Sequence, residues 1–579
     1  MRITSLLALI LSIQITAFSA NIHVPKDQPT IQTAINAAVA GDIIVVAPGT
    51  YRESIDFHGK AITVRSDGGP QVTTIDAASL GRTVTFTSGE GGGSVLKGFT
   101  LAKGDDHLAG AILCIDSSPM VTENVIKSRG VQAVAAVFCR NSFARIERND
   151  ISDNPVVAVF CDTKGGPVIV GNCITNNNSA YAGGVYCNDS SPVIDGNLIT
   201  GNLSNGITCT VGSEPVITGN TISGNTTAGS GGAIWCDRSS PVIEGNRISG
   251  NSAGIASAIM CSSLSAPLIT GNRISENTST DGTICCYWAS SPTITFNVVI
   301  GNSVRYGGGL ICHDGSNPLS ACNVISDNDA DIGGGIWCYA ASPEIVNNTI
   351  TGNVARIEGG GISCIVGSSP NLSNTIFWDN SAPSGPQIYV ANGSTPTFTH
   401  CAVQDGWPGS GNISLDPLFA DPAGGDRHLT WNSPCREAGT GSTLPADLVA
   451  DFEGDPRVAF GSVDIGADEF HRHLYHVGDA TPGGTVTLKV AGVPTAPVML
   501  AFGAGLADPP YQTRYGAFYL SWPVILVPIG SIGSSGNRTF PMLVPAAWSP
   551  GEVKPLQALL GHLGGFHSKL TNLDLLVVE

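Results

Sequence analysis

The chain has 579 residues, of which 72 are Gly, 42% are hydrophobic and only 13% are charged, and its formal net charge is −18. The hydrophobic content is sufficient to fill a core, which argues against a disordered chain. The negative charge argues against a nucleic-acid partner, which needs a basic surface, and it disfavours unaided binding of polyanions unless calcium bridges the two.

The amino end is typical of a secretory signal peptide. Met1 and Arg2 precede an apolar run from Leu6 to Ile15, and the small residues Ala17 and Ser19 follow it. We therefore expect residues 1–20 to be removed and the protein to be secreted or displayed at the cell surface. The rest of the sequence contains no run of about 18 apolar residues, so it predicts no membrane-spanning helix.

The segment after the amino end predicts one short helix. Thr30 is a good N-cap residue, and Ile31, Ala34, Ile35 and Ala38 fall on one helical face. We expect this amphipathic helix to close the entrance of the repeats that follow.

A repeat of 23 to 27 residues dominates the middle of the chain. Twelve positions mark its register, and all are Pro except Ala144: 119, 144, 167, 192, 215, 241, 267, 292, 318, 343, 370 and 396. An Asn stands five residues after nearly every mark, and a second Asn follows five residues later. Asn suits a tight corner because it tolerates the left-handed backbone conformation and its amide can bond to the copies above and below.

A cysteine precedes eleven of these marks by five or six residues, and an aliphatic residue stands two positions before each cysteine. Residues two apart on a strand point to the same face, so both should face a core. Ile or Val also recurs two residues after most Pro marks and two residues after the first Asn. The repeat therefore predicts three short strands per turn, with the thiols inside as small hydrophobic groups.

Three strands in about 25 residues make one turn of a right-handed parallel β-helix, and the marks predict about a dozen turns. These repeats resemble those of pectate-lyase-like and other carbohydrate-active proteins over roughly residues 22 to 420. "TIQTAINAAVAGD", at the predicted helix, resembles the usual entrance of that family. "GGAI" at 231–234 with "FWDN" at 377–380 also resembles the repeats of polymorphic outer-membrane adhesins.

The sequence divides the rest of the chain into two regions. We place the β-helix at 21–411 and its C-terminal cap at 412–470, where "LDPLFAD" and "GSVDIGADEF" resemble the segment that often ends secreted bacterial β-helices. Residues 471–579 are Pro-rich with strand-like alternation, which predicts a separate β-sandwich of unknown role. If any cysteines form a disulfide, Cys401 and Cys435 near the cap are the better candidates.

The neighbours of each cysteine should face solvent and form one stripe along the axis. Aromatic rings can pack on the apolar faces of sugars, while Asp, Asn and His can bond to hydroxyl groups. We therefore expect an exported or surface protein that binds an extended polysaccharide or cell-surface glycan there, or that acts as an adhesin. The expected binding residues are Phe160, Asp162, Tyr186, Asn188, Trp235, Asp237, Tyr287, His313, Trp337 and Tyr339.

Two alternatives stay open. The same face could belong to a polysaccharide lyase or a glycoside hydrolase, although Arg140, Asp162 and Asp237 do not make the dense acidic and basic site that resemblance to lyases would imply. Overhanging loops could instead bury the rings, leaving a purely structural surface protein. Calcium is the one cofactor the sequence suggests, either at Asp327, Asp329 and Asp331, whose carboxylates alternate, or in the acidic "DFEGD" of 451–455.

Overall fold

A computed structural model of the chain describes residues 19–78, 81–128, 132–430, 432–446, 448–453, 456–458 and 462–470, together with C-terminal strands between 474 and 577. The expected signal peptide lies almost entirely outside the described residues. The chain divides into two compact units, Met1–Ala253 and Gly254–Glu579. In the described part, no helix is both long and apolar enough to cross a bilayer.

Both units are built from short parallel strands that form three sheets, and in all about 15 turns are present. We name the sheets by their sequence marks. The proline sheet follows the Pro marks, the asparagine sheet follows the first Asn of each repeat, and the cysteine sheet carries the inward thiols. The predicted all-β right-handed β-helix is confirmed, but the marks undercount its turns because the strands start at Asn21, long before the first mark at Pro119.

In unit 1, Met1–Ala253, the three sheets have the following strands. The cysteine sheet contains Ile55–Asp56, Val84–Phe86, Ala109–Ile115, Ala135–Arg140, Val157–Asp162, Val185–Asn188, Ile207–Thr210 and Ile234–Asp237. The proline sheet contains Asn21–Val24, Ile43–Val46, Thr63–Ser66, Val95–Lys97, Met120–Thr122, Arg145–Glu147, Val168–Val170, Val193–Asp195, Val216–Thr218 and Val242–Glu244. The asparagine sheet contains Gly49–Tyr51, Thr73–Asp76, Thr100–Ala102, Val125–Lys127, Asp150–Ser152, Cys173–Thr175, Leu198–Thr200, Thr221–Ser223 and Arg247–Ser249. A two-residue strand, Ser252–Ala253, ends the unit.

In unit 2, Gly254–Glu579, the same three sheets recur. The cysteine sheet contains Ile259–Ser262, Ile284–Cys286, Leu310–His313, Ile336–Tyr339, Ile362–Ile365 and Ile388–Val390. The proline sheet contains Leu268–Thr270, Thr293–Thr295, Leu319–Ala321, Glu344–Val346, Asn371–Ser373 and Thr397–Thr399. The asparagine sheet contains Arg273–Ser275, Val298–Ile300, Val324–Ser326, Thr349–Thr351, Ile376–Trp378 and Ala402–Val403. Three short strands lie in loops: Thr278–Ser279, Asp329–Ile332 and Val354–Glu358.

The predicted capping helix is present over Ile31–Ala37, with Ala38 as its C-cap. The Thr30 hydroxyl accepts the Thr33 backbone N–H at 3.1 Å, and the Thr33 hydroxyl accepts the Thr30 N–H at 3.2 Å. This reciprocal cap satisfies two of the free donors at the helix start. Ile31, Ala34 and Ile35 are buried, so the apolar face predicted from the sequence is the face that packs on the first strands.

Buried Asn ladders hold the turns in register. In unit 1, Asn220 Nδ2 donates to Asn246 Oδ1 at 3.0 Å and to the Ile194 carbonyl at 2.8 Å, and its copies repeat the pattern. The ladder explains the Asn spacing, but the expected left-handed backbone at these Asn residues is wrong. The left-handed residue is the one before each of them, such as Gly219 at φ 61° and Glu123 at φ 57°, which turns the corner so that the Asn side chain points inward.

The segment 412–470, predicted as the cap of the β-helix and called the exit cap from here on, packs against the later turns of the β-helix in unit 2. It holds an antiparallel pair, Phe419–Asp421 with Asp426–Leu429, and a 3₁₀ turn at Gly441–Thr443. Ile465 and Phe470 pack in one apolar cluster with Ile376 of the last turns. Arg457 is fully buried and donates to the carbonyls of Asp464 and Ala467, both at 2.9 Å, which fixes the chain around it.

The described C-terminal strands pair antiparallel, as strands of a β-sandwich do. They form three sheets: Leu474–Val477, Thr485–Ala491 and Asn537–Leu543; Val524–Ser531, Pro497–Gly503, Val553–Leu560 and Lys569–Val577; Leu506–Thr513 and Gly516–Leu520. All sixteen cysteines lie in the described part and none is in a disulfide, so Cys401 and Cys435 are buried free thiols. The suggested pairing of those two is therefore not seen.

Candidate functional site: the outer face of the cysteine sheet

The thiols point into the core, as the period-two pattern predicts. In unit 1 the register stacks Cys187, Cys209 and Cys236 as direct partners, and unit 2 stacks Cys286, Cys312 and Cys338. All six are 0% exposed. Burial raises the pKa of the Cys286 thiol well above its usual range, which keeps it neutral. These cysteines act as small apolar groups, and their neighbours face the opposite side of the sheet.

That opposite side is not one continuous exposed stripe, so the expectation of such a stripe is wrong. Overhanging loops bury most residues that precede the cysteines, and only Phe160, Tyr186 and Trp235 are partly exposed among the aromatic ones. Trp337 is only 7% exposed. The residues after the cysteines are more accessible: Asn188, Asp237, Tyr287, His313 and Tyr339 are half-buried, whereas Asp162 is buried.

A cleft of about 890 Å³ opens on this face in unit 1. Register places Tyr186, Thr208 and Trp235 on three consecutive strands, and the rings of Tyr186 and Trp235 line the cleft. Loops that precede the strands add the other walls: Asn178, Ser179, Ala180, Tyr181, Leu203, Ser204, Asn205, Thr226, Thr227, Ala228, Gly229 and Ser230. The floor also includes Thr210, Val211, Asp237 and Arg238. The size and the mixture of rings with hydroxyl and amide groups are typical of a small-molecule or sugar site.

The electrostatics of the cleft are balanced. Asp237 Oδ2 accepts from Arg238 Nε at 3.0 Å, so the carboxylate and the guanidinium offset each other. The Thr210 hydroxyl lies 3.3 Å from the Tyr186 hydroxyl, which places two hydroxyl groups side by side at the floor. A neutral ligand rich in hydroxyl groups is the one that such a lining accommodates.

Phe160 and Asp162 lie next to the cleft and support it. The Phe160 ring is 4.7 Å from that of Tyr186 between centroids, and the Phe138 ring lies at 5.3 Å on its other side. Asp162 accepts from Arg140 at 2.8 Å and from Asn188 at 3.0 Å. Burial opposes ionisation of Asp162, but these donors outweigh it and hold its pKa below the usual range. Phe160 and Asp162 thus position Tyr186 and Asn188 rather than line the cleft.

The other four predicted binding residues form a separate cluster in unit 2, which we call the ring cluster: Tyr287, His313, Trp337 and Tyr339, with Tyr306. The His313 ring stacks on Tyr339 at 4.5 Å and lies 4.8 Å from Tyr287. Tyr306 stacks over Trp337 at 4.6 Å, which explains why the indole is sealed.

One carboxyl group beside the ring cluster, that of Asp281, has a raised pKa. The Tyr287 hydroxyl donates to Asp281 Oδ2 at 2.7 Å. Burial of Asp281 raises its pKa above the usual range despite that donor, and burial likewise raises the pKa of Tyr287. A carboxyl group that keeps its proton more readily than usual is suited to donate one.

The three candidate calcium ligands are each directed at an arginine. Asp329 and Asp331 contact Arg356 at 2.5 and 3.0 Å, and Asp327 contacts the buried Arg427 of the exit cap at 3.1 Å. Among the described residues, the group of three side chains placed to hold a metal lies elsewhere, at His428, Glu453 and Asp468. A calcium site at Asp327, Asp329 and Asp331 stays a prediction, and it would require these ion pairs to open.

Several residues of both sites did not emerge from the sequence pattern. Tyr181 and Asn205 line the cleft, while Asp281 and Tyr306 lie against the ring cluster. All four stand in loops that precede the Gly-rich corners, where turn length varies and no periodic mark fixes the register. The one available indication was the recurrence of large polar and aromatic residues directly before these corners.

Comparison with known proteins agrees with this architecture. A family model described as a right handed beta helix region matches residues 110–265 and 229–377. The chain is a right-handed β-helix repeat protein. A comparison of this β-helix protein with curated sequences gives no match.

Solved structures similar to this β-helix protein include three carbohydrate-active proteins. Pectate lyase Pel9A is 13% identical with a TM-score of 0.26, over 76% of this chain and 91% of that one. The alginate lyase AlyGC is 9% identical with a TM-score of 0.35, over 67% and 80%. The A-module of the Azotobacter vinelandii mannuronan C-5 epimerase AlgE6 is 14% identical with a TM-score of 0.25, over 63% and 93%.

Proposed function

We propose that this protein is an exported or surface-displayed β-helix protein that binds an extended, neutral polysaccharide in the cleft of unit 1. The observation that carries the proposal is the cleft itself, in which the partly exposed rings of Tyr186 and Trp235 lie two strands apart beside hydroxyl and amide groups. Neighbouring strands are about 4.8 Å apart, so the two rings are separated by about 10 Å along the axis. An extended glycan that lies along the axis can contact both.

Charge favours a neutral ligand. The chain carries a net charge of −18, and the Asp237–Arg238 pair leaves no excess positive charge within the described cleft lining. A polyuronate would therefore be repelled by the protein as a whole and would find no matched cation in the cleft. Calcium could change this preference by bridging carboxylates, which is why the binding test includes it.

The test is retention of the purified full-length chain on soluble glycans in affinity gels, using neutral glucans, polygalacturonate and alginate, each with and without calcium. We expect retention by a neutral glucan that is independent of calcium and is lost in the double variant Tyr181→Ala, Tyr186→Ala. The matched control is Tyr51→Ala, outside the cleft, which should be retained like the wild type. Unchanged retention of the double variant would remove the cleft as the site.

A second candidate function is glycan cleavage in the ring cluster of unit 2. It is favoured by Asp281, whose burial raises its pKa and whose carboxyl group is hydrogen-bonded to Tyr287 beside His313. The Asp281 carboxyl group, whose pKa is raised by burial, could donate a proton as the general acid of a hydrolase, or Tyr287 could move a proton in a lyase. Incubation with the same glycans, followed by measurement of reducing ends and of unsaturated uronate absorbance, separates the two functions. Product that disappears in Asp281→Asn would favour the enzyme, whereas binding without product favours the first proposal.

A further inference from the structure

The exit cap brings together three potential metal ligands from separate segments. His428 lies on the strand Asp426–Leu429, Glu453 follows in a loop, and Asp468 lies near the end of the cap. One ligand atom from each of them lies within 4.8 Å of the other two. Among the described residues, no other group of three His, Cys, Asp or Glu side chains has this spacing.

Asp468 is the member of this group that lacks a complete set of partners. It is 2% exposed, and its Oδ2 accepts the Leu429 backbone N–H at 2.7 Å. Its Oδ1 has no hydrogen-bond partner among the described residues. A buried carboxylate oxygen without a partner is costly, and an ion that binds to it removes the cost.

His428 is held in the orientation of a metal ligand. Its Nδ1 is in close contact with the Asp426 carboxylate, and the Asp426 Oδ1 also accepts the His428 backbone N–H at 3.1 Å. The Phe452 ring packs 5.4 Å from the imidazole. Nε2 is thereby directed at Glu453, whose Oε2 lies 2.9 Å away. A carboxylate on one ring nitrogen and a metal on the other is a common arrangement around protein-bound metals.

We propose that His428, Glu453 and Asp468 bind one divalent transition-metal ion, for which zinc is the probe, and that the ion ties three segments of the exit cap together. One nitrogen and two carboxylate donors suit zinc, whereas calcium and magnesium prefer all-oxygen sites. Glu453 is the most exposed of the three ligands and gives the ion a path from solvent. The expected role is structural, because the ion would connect chain segments that are 25 and 15 residues apart.

The experiment uses the untagged full-length protein after treatment with a chelator and dialysis. The protein is loaded with zinc, excess ion is removed, and the bound metal is measured by elemental analysis beside parallel loadings with calcium and magnesium. We expect one zinc per chain, no retained calcium or magnesium, and a higher midpoint of thermal unfolding with zinc. The variants His428→Gln, Asp468→Asn and Glu453→Gln should each lose the zinc and the thermal shift.

Two variants serve as matched controls. Glu437→Gln changes another exposed glutamate of the exit cap, and His58→Gln changes an exposed histidine that lies 3.3 Å from Asp56 in unit 1. Both should keep one zinc per chain. If His428→Gln does not fold, Glu453→Gln still decides the matter, because it removes a ligand from an exposed position. The proposal is overturned if the wild type retains no zinc, if the ligand variants retain as much as the wild type, or if calcium is retained instead.

Discussion

Trp235 in unit 1 and Trp337 in unit 2 stand in nearly the same sequence, "GGAIWCD" and "GGGIWCY", yet one lines an open cleft and the other is sealed. The corner before each tryptophan has the same left-handed glycine. Gly231 and Gly333 have φ of +71° and +66°, and a Cβ on either would lie within 3.0 Å of the following tryptophan's Cβ. The strand therefore does not decide whether the ring is accessible.

The turn of the β-helix that precedes each tryptophan decides whether its ring is accessible. Six residues before the cysteine of that turn stand Leu203 in unit 1 and Tyr306 in unit 2. Tyr306 stacks on Trp337 at 4.6 Å, whereas Leu203 is 60% exposed at the wall of the cleft. The repeat thus supplies a constant frame, and single loop residues convert its outer face into either a binding surface or packing.

The largest expected effect is on stability in unit 2. Trp337→Ala should lower the free energy of unfolding by about 3–5 kcal/mol, because it leaves a cavity where a buried ring was packed. Trp235→Ala should cost about half as much, since its ring is already partly exposed. Denaturant titration of both variants checks this, and equal losses would contradict the difference in packing between the two sites.

Substitution of one ladder Asn should lower stability by a similar amount in both units. Asn220→Ala and Asn297→Ala each remove a buried amide that donates to the next ladder Asn, at 3.0 and 2.9 Å, and to a strand carbonyl, at 2.8 and 2.9 Å. Each should destabilise the protein by about 1–3 kcal/mol, because buried partners are left unsatisfied. Thermal unfolding measures the loss, with the exposed Asn178→Ala as control. Clearly unequal losses would mean that the frame itself differs between the units.

The ladders and the thiol column also show why the fold could be predicted from the sequence. Asn220 and Cys236 recur at fixed offsets because each contacts its own copy one turn away, so the spacing records the structure directly. The entrance turns before Pro119 lack these marks and were missed in the count of turns. Tyr306 and Asp281 could not be placed in advance, because their contacts depend on loop conformation, which leaves no period in the sequence.

Of two exposed indoles, that of Trp235 in the cleft and that of Trp288 outside it, only the first should affect glycan binding. Trp235→Ala should weaken glycan affinity about tenfold, equivalent to about 1.4 kcal/mol, through loss of the ring surface at the cleft. Trp288→Ala removes a tryptophan that is 55% exposed but lies outside the described cleft lining, and it should leave affinity unchanged. Titration calorimetry with the retained glycan measures both, and a similar loss in Trp288→Ala would point to a different surface.

The role of the loop residue can be tested by exchanging it. Leu203→Tyr adds a ring at the wall of the cleft, at the same number of residues from its cysteine as Tyr306 in unit 2, and it should lower glycan affinity severalfold by narrowing the cleft, with little change in stability. Leu203→Ala is the matched control, because it removes the side chain without adding a cover, and it should bind at least as well as the wild type. Tighter binding by Leu203→Tyr would show that an added ring serves as a contact and not as a lid.

The smallest expected effect is the pH dependence of stability, to which Asp162 in unit 1 and Asp281 in unit 2 should contribute with opposite signs. The folded-state pKa of Asp162 is lowered, because donors from Asn188 and Arg140 outweigh its burial, so its contribution is present above the unfolded value of about 3.9 and is lost as pH falls through the folded value. The folded-state pKa of Asp281 is raised by burial, so ionisation costs stability above that raised value, and the cost disappears as pH falls towards about 3.9. Thermal unfolding midpoints measured across this pH range test both expectations. Asp162→Asn should remove stability near neutral pH, by about 1 kcal/mol or less. Asp281→Asn should flatten the decline in stability towards neutral pH. If both variants shifted the profile in the same direction, the contrast between a carboxylate paired with an arginine and a buried carboxyl group beside Tyr287 would not hold.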